Sequence, residues 1–301
     1  MKCSRCNKNA VYEARYSGEN LCGEHLLISV ERRIKKEVRE QINFDKPVLR
    51  ISVAISGGKD SSVTLYVLND LFHGRKNVSL EAFTIDEGIE GYRNSGLESA
   101  RKMCSELDIP HHTVSFRDTF GTTMDRIVGG NPDIIPCSRC GPMRRHLMND
   151  ESIALNSDYV ALGINLDDYS QSILMNVARG DVIRMSRMAP HYTARDGLVR
   201  RILPLRRIPE KEVMLYAVLR GIEFDASWCP YYEKAQRNSF REVLEIMEER
   251  SPGTKFAMLN FLDGLRPVLG SVSNEGNIRK CKICGQPTSR EICATCSIVE
   301  N

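Results

Sequence analysis

Ser56-Gly57-Gly58-Lys59-Asp60-Ser61 decides how this chain is read. It follows an apolar, β-rich stretch from Val48 to Ile55 and opens an amphipathic one from Val63 to Phe72. Strand, tight glycine turn and helix together aim successive backbone N–H groups at an anion, with the positive end of the helix dipole behind them. Gly57 and Gly58 let a phosphate approach the main chain, Ser56 and Ser61 add hydroxyls, and Lys59 adds a mobile charge. The Walker pattern G-x-x-x-x-G-K-[ST] is not met, because Val53 stands where it needs glycine and Asp60 where it needs Ser or Thr. An acid in the turn suits a metal-bound pyrophosphate better than a grip on a γ-phosphate.

Outward from that turn, strands and helices alternate. Val48–Ile55, Ser79–Ile85, His112–Ser115 and Tyr159–Leu162 read as strands; Ser61–Leu71, Leu97–Leu107 and Asp168–Val177 read as helices. That order predicts an α/β fold, a doubly wound parallel sheet with helices on both faces. Ligands of such sheets sit at the carboxyl ends of the strands, which places Ile85-Asp86 and Gly163 beside the nucleotide pocket. Gly163-Ile164-Asn165-Leu166-Asp167-Asp168 brings two adjacent acids to a helix start, where one can hold magnesium or activate a nucleophile while the other caps. The expected organisation is an N-terminal zinc finger over 1–28, a linking helix over 29–45 and the nucleotide domain over 46–215. A helical region over 216–274 and a zinc ribbon over 275–301 complete it.

The 11 cysteines are an odd number, unlike a disulfide framework. Cys3, Cys6, Cys22 and His25 form C-x2-C-x15-C-x2-H, and Cys281, Cys284, Cys293 and Cys296 form C-x2-C-x8-C-x2-C. Paired chelating knuckles of this kind close tetrahedral zinc sites, and segments too short to bury a core need that metal for stability. Cys104 sits on a helix among apolar neighbours and reads as a small core residue, so Cys137 and Cys140, which lack a second pair nearby, leave Cys229 as the one unassigned thiol. Three thiolates leave a metal one ligand short, which fits an open catalytic zinc or a [4Fe–4S] cluster with one free iron. A metal-free persulfide and disulfide cycle, or a buried structural pair, fits the same residues.

Charge and hydropathy bound the partners. The net charge of +3 is small, yet Arg179–Lys211 carries nine Arg or Lys against three acids. Arg200-Arg201 and Arg206-Arg207, with His191 and Tyr192 interleaved and Pro204 and Pro209 breaking helices, read as a basic loop suited to phosphate contact and base stacking. No apolar run approaches the roughly 20 residues of a membrane span, and no apolar signal core follows Met1-Lys2-Cys3-Ser4, so a cytosolic, reducing compartment is expected.

The run SGGKDS after a strand resembles the signature of the PP-loop ATPases, which split ATP between the α and β phosphates. The whole set of blocks, from Cys3 to Cys296, resembles the TtuA-type tRNA 2-thiouridine synthetases, also called cytosolic tRNA thiolation proteins: CxxC…CxxH, SGGKDS, PCxxCG…RR, GxNLDD, one later Cys-Pro and a terminal CxxC…CxxC. The resemblance implies ATP-dependent adenylation of a uridine C2 oxygen, then displacement of AMP by sulfur, at the wobble uridine, with the T-loop uridine as the alternative. It implies that Cys137, Cys140 and Cys229 hold a [4Fe–4S] cluster whose fourth iron binds sulfide. By the same token Asp168 is a catalytic acid or base, and Asp60 positions magnesium and pyrophosphate. Ala54, Ser56, Gly57, Gly58, Lys59, Asp60, Ser61, Ile85, Arg144 and Gly163 line the ATP site, and the terminal modules hold two zinc ions. A ubiquitin-like carrier or free sulfide donates sulfur to a homodimer. Family members often carry His where this chain has Ile164, and some carry Lys in place of Arg144; a guanidinium keeps the charge but cannot donate a proton. Rival readings are a persulfide-based thiolase for another base and a non-catalytic RNA-binding zinc protein.

Overall fold

The computed structural model describes residues 1–130, 134–274 and 278–300. Residues 131–133, within the segment before the Cys137 pair, and 275–277, where the ribbon was expected to begin, lie outside the described residues. A hairpin, β1 (Tyr12–Ala14) with β2 (Glu19–Leu21), leads into α1 (Gly23–Gln41). The central run is β3 (Leu49–Ala54), α2 (Lys59–Phe72), β4 (Val78–Asp86), α3 (Arg93–Glu106) and β5 (His111–Ser115). Short helices α4 (Phe116–Phe120) and α5 (Met124–Gly129) precede the long α6 (Pro136–Ala154). Then come β6 (Tyr159–Leu162), α7 (Leu166–Ala178), α8 (Val182–Ser186) and β7 (Arg200–Ile202). The C-terminal part holds α9 (Glu210–Arg220), α10 (Arg237–Arg250) and α11 (Thr254–Asn274), then the small pair β8 (Arg279–Lys280) and β9 (Pro287–Thr288) and a closing α12 (Ala294–Val299).

Five parallel strands lie in the order β5-β4-β3-β6-β7, the doubly wound sheet that the alternation predicted. The chain leaves β3 toward β4 and β5, then returns to build β6 and β7 on the other side. Chain order therefore reverses between β3 and β6, and the crevice over their carboxyl ends is where such sheets take ligands. Period-two alternation divides the strand residues between two cores. Ile51, Val53, Ala82, Tyr159 and Ala161 pack with α1, α2 and α9 on one face. Phe83, Ile85 and Val160 pack with Met143 and Leu147 of α6 on the other. α1 is a full member of the first layer, since Leu26, Val30, Ile34 and Val38 are fully buried against the sheet side. A third cluster joins Tyr169 and Ile173 of α7 to Leu259 and Leu262 of α11.

Two expectations about the basic tract are corrected. Arg200–Ile202 is the fifth strand, parallel to β6, and not loop. Arg206-Arg207 is not a surface doublet: Arg206 is 2% exposed and pairs with Glu37 (2.5 Å) and Asp263 (2.7 Å). Arg207 bridges the same two acids at 2.7 and 2.9 Å. Burial of a guanidinium is tolerable only when its charge is paired. The partners lie on α1 and α11, far away in sequence, so counting local charge overestimates what this tract offers to RNA. No helix among the described residues is long and apolar enough to cross a membrane.

Candidate active site

The glycine turn closes on itself before it meets any ligand. Gly57 takes φ +83°, and the N-cap of α2, Gly58, offers no side-chain cap to the N–H groups of the first turn, which leaves them to an anion. Ser61 holds the turn: its hydroxyl accepts from the Ser56 N–H at 3.0 Å and donates to the Gly58 carbonyl at 2.9 Å. Gly163, at the end of β6, sits so close to this turn that a Cβ there would lie 2.6 Å from Ser61 N. Its role in the present geometry is close approach. Ala54 ends β3 at the crevice, while the carbonyl of Ile85 accepts from Arg93 Nε and Nη2 at 3.0 and 2.7 Å.

Lys59 is pinned. It contacts Asp60 Oδ2 and Glu210 Oε1, both at 2.9 Å, and although burial works against its charge these acids raise its pKa. Asp60 accepts through Oδ1 from Asn165 Nδ2 at 3.0 Å, and Glu210 also pairs with Arg241 at 2.8 Å. Two carboxylates and a lysine beside uncapped N–H groups form a site for a phosphate chain with a divalent cation.

Asp167 and Asp168 take different partners. Asp167 is buried, accepts from the Glu210 N–H at 2.7 Å and pairs with Lys255 at 2.5 Å, tying α7 to α9 and α11. Asp168 turns toward the crevice and meets Arg237 at 3.1 Å. Burial pushes its carboxyl above the usual range; Arg237 opposes this, while Asp60 and Glu210 add to it. Asp167→Ala is expected to cost about 3 kcal/mol, the low end for breaking a buried pair because Glu245 still holds Lys255. Asp168→Asn is expected to leave the melting temperature in place and remove activity. Equal melting losses in the two variants, read by calorimetry, would show that the division of roles is wrong.

Cys137 and Cys140 lie near the start of α6, three residues apart and so on one helix face. Cys229 comes from the loop before α10 and packs, like Cys140, against the second core. Burial pushes the Cys140 thiol up to about 11, opposed by Arg144, with Glu87, Cys137 and Cys229 adding to the rise. The three thiols thus share one neighbourhood, and their sulfurs are not all within 4.8 Å of one another, as the terminal ligand sets are. A cubane cluster spreads its thiolates wider than a single ion does, so this donor set fits a cluster one protein ligand short. A metal would displace the Cys140 proton on binding.

Glu87 and Arg93, two residues the sequence did not single out, connect the two halves. Glu87 is 3% exposed, lies 3.0 Å from Arg93 Nε and 3.6 Å from Arg144 Nη1, while Arg93 Nη1 also donates to Ser56 O at 3.4 Å. Above them Arg145 and Arg201, with no acid partner among the described residues, repel their neighbours: burial, then Arg144 and Arg184, weaken Arg145's hold on its proton, and burial, then Arg145, bring Arg201 down to about 10. Such a cluster is relieved by phosphate. Of the interleaved rings, half-buried His191 is pushed down to about 4 by burial and Arg201, whereas Tyr192 stays exposed.

The terminal modules pass a separate test. A tetrahedral ion with bonds of about 2.3 Å to sulfur sets a ligand–ligand edge of about 3.8 Å. Cys6 and Cys22 sulfurs are 3.8 Å apart, Cys284 and Cys293 3.7 Å, and His25 Nδ1 is 3.3 Å from Cys22 Sγ. Cys3, Cys6, Cys22 and His25, and Cys281, Cys284, Cys293 and Cys296, each bring four ligand atoms together.

Comparison with known proteins gives a consistent result. Residues 26–248 match a family model described as a PP-loop domain, and residues 2–27 match one described as the N-terminal LIM domain of 2-thiouridine synthetase TtuA. The chain is 38% identical to a probable sulfurtransferase of Methanocaldococcus jannaschii, covering 99% of this chain and 86% of the relative. It is 34% identical to the tRNA 2-thiolation protein NcsA of Haloferax volcanii, over 100% and 99%, and 33% identical to the tRNA-5-methyluridine(54) 2-sulfurtransferase of Pyrococcus horikoshii, over 98% and 93%. Among solved structures, the U34-tRNA thiolase NcsA from Methanococcus maripaludis with its [4Fe-4S] cluster superposes with a TM-score of 0.84, at 34% identity, over 100% of this chain and 96% of that one.

Proposed function

We propose, from the premise that this chain belongs to the TtuA/NcsA-type tRNA thiolation proteins of the PP-loop superfamily, that it adenylates the C2 oxygen of the wobble uridine and replaces it with sulfur. The chain is a tRNA sulfurtransferase; the position and the route are this reading's content. The observation that supports it is the pair Glu87 and Arg93, in which Arg93 reaches the glycine turn at Ser56 O while Glu87 lies beside Arg144, one helical turn from Cys140.

A uridine carbonyl oxygen leaves poorly until it is a phosphoryl ester. The turn at Ser56–Ser61 and Lys59 hold the phosphates, while Asp60 holds magnesium on the departing pyrophosphate. The C2 oxygen attacks the α-phosphorus, the Pα–O–Pβ bond breaks, and pyrophosphate leaves. Asp168, its carboxyl pushed up by burial, manages the N3 proton beside the nucleotide. Sulfide then adds at C2, and AMP departs with the former carbonyl oxygen. When bound by Cys137, Cys140 and Cys229, a [4Fe–4S] cluster supplies an iron with a position open to inorganic sulfur. Arg144 lines the ATP pocket, and Arg145 and Arg201 meet tRNA phosphates. The terminal tetrads hold one zinc each and stiffen the ends. The donor in this reading is a ubiquitin-like carrier or free sulfide, and the working unit is a cytoplasmic homodimer.

The test is anaerobic reaction of reconstituted protein with unmodified tRNA, ATP and sulfide, with nucleoside mass spectrometry and nucleotide analysis. Sulfur at C2 of uridine 34 with AMP and pyrophosphate is expected. ADP and orthophosphate would end the adenylation route, and sulfur at uridine 54 would end the wobble assignment.

A further inference from the structure

The chain has one tryptophan, and it is not in a core: the Trp228 side chain is 64% exposed, immediately before the cluster ligand Cys229. Leaving so large an indole in water forfeits the burial that normally repays it. Yet the ring is held. Tyr232 packs edge-on with centroids 4.8 Å apart, and its N–H donates to Cys229 O at 2.9 Å. Upstream, Asp225 N donates to Gly57 O at 2.8 Å, and Ser227 Oγ donates to Asp225 Oδ1 at 2.7 Å, so the segment is fastened to the glycine turn itself. Arg241, on the helix that follows Tyr232, pairs with Glu210, which in turn holds Lys59. An exposed aromatic face on the segment that runs from the phosphate turn to Cys229 has no structural task that burial would not serve better.

We propose that Trp228, braced by Tyr232, is the platform on which the target nucleobase stacks after leaving its loop, which sets C2 between the α-phosphate and the sulfur. The proposal rests on the tRNA-thiolation reading and goes beyond it in naming the surface that takes the base. Aromatic stacking is sequence-tolerant and contributes enough that loss of the ring should weaken substrate capture roughly ten- to a hundredfold. Preorganisation by Tyr232 reduces the ordering that capture would otherwise require.

Because the tryptophan is single, its fluorescence reports on the platform directly. Wild-type protein is titrated with an unmodified tRNA transcript, and with the same transcript made abasic at whichever uridine mass spectrometry shows to be thiolated. Quenching by the first and little by the second is expected. Trp228→Ala should raise the KM for tRNA about tenfold or more with the KM for ATP unchanged, and Trp228→Phe should recover most of the loss. Active wild-type enzyme showing equal quenching with both RNAs, or Trp228→Ala with an unaltered KM for tRNA, would overturn the platform while leaving thiolation standing. Quenching by a sulfur-carrier protein with none by RNA would overturn it in favour of a protein-docking ring.

Discussion

Cys140→Ser should give a folded protein that still binds tRNA, lacks the brown absorbance of an iron–sulfur cluster, and no longer makes thiouridine. Serine is nearly the same size, so the second core around Met143 and Leu147 keeps its packing. What changes is donor chemistry. A hydroxyl is a hard, high-pKa ligand where a soft thiolate is needed. In the metal-free protein the Cys140 thiol is pushed up to about 11, which leaves on the order of one thiolate in ten thousand at neutral pH. A metal centre that takes Cys140 as a ligand displaces this proton, and loading should therefore release protons and improve as pH rises. The loss of product should reach roughly three orders of magnitude, because in the three-thiolate reading the thiols act as a unit and removing one member removes nearly the whole effect. Anaerobic reconstitution read at visible wavelengths, beside a filter-binding assay and nucleoside mass spectrometry, separates the cases. Retention of wild-type turnover by the variant would defeat the three-thiolate site, and a metal-free persulfide route would regain ground.

What could be read from the sequence is what is local. The strand, glycine turn and helix around Ser56–Ser61, and the knuckles at both ends, each lie within a short window, and the structure builds them there. The relation of Asp167 to Asp168 was half legible: adjacency at a helix start said that they diverge, but neither acid is the cap expected there, a place Asn165 takes, and Lys255 claims the first. The failures share a cause. Arg200–Ile202 is too short and too charged to look like a strand, and only pairing with Tyr159–Ala161 makes it one. Arg206 looks like surface until Glu37 and Asp263 arrive from other helices. α6 escaped because Pro142 and two polar runs interrupt its apolar spacing. Glu87, Arg93 and Glu210 carry no motif at all, and their importance comes from where β4 ends and where α3 and α9 begin. Residues whose role is to join distant elements leave no local trace.

The clearest instance is a glycine outside the signature. Gly96→Ala should abolish ATP-dependent AMP formation as fully as Gly57→Ala, although helix propensity alone says the opposite. Gly96 lies inside α3, where alanine is favoured over glycine by about 1 kcal/mol. But a Cβ at Gly96 would fall 2.7 Å from Ser56 O, and a Cβ at Gly57 would fall 2.1 Å from Gly96 O. Both obstructions are backbone, which cannot swing aside as a side chain can. Gly57 adds its own strain, since φ +83° costs an L-residue about 1 kcal/mol or more. Either alanine must drive the turn away from α3, breaking the Asp225 N–Gly57 O bond and turning the N–H groups of α2 off the phosphates. A hundredfold fall in kcat/KM for ATP, about 2.7 kcal/mol of transition-state stabilisation, is the least expected. Gly264→Ala is the control, because that helical glycine has nothing within 4 Å of a new Cβ and the change should be neutral or slightly stabilising. Steady-state kinetics beside melting curves make the comparison. Were Gly96→Ala to behave like Gly264→Ala, the close seat of the phosphate turn on α3 would not be what shapes the nucleotide site.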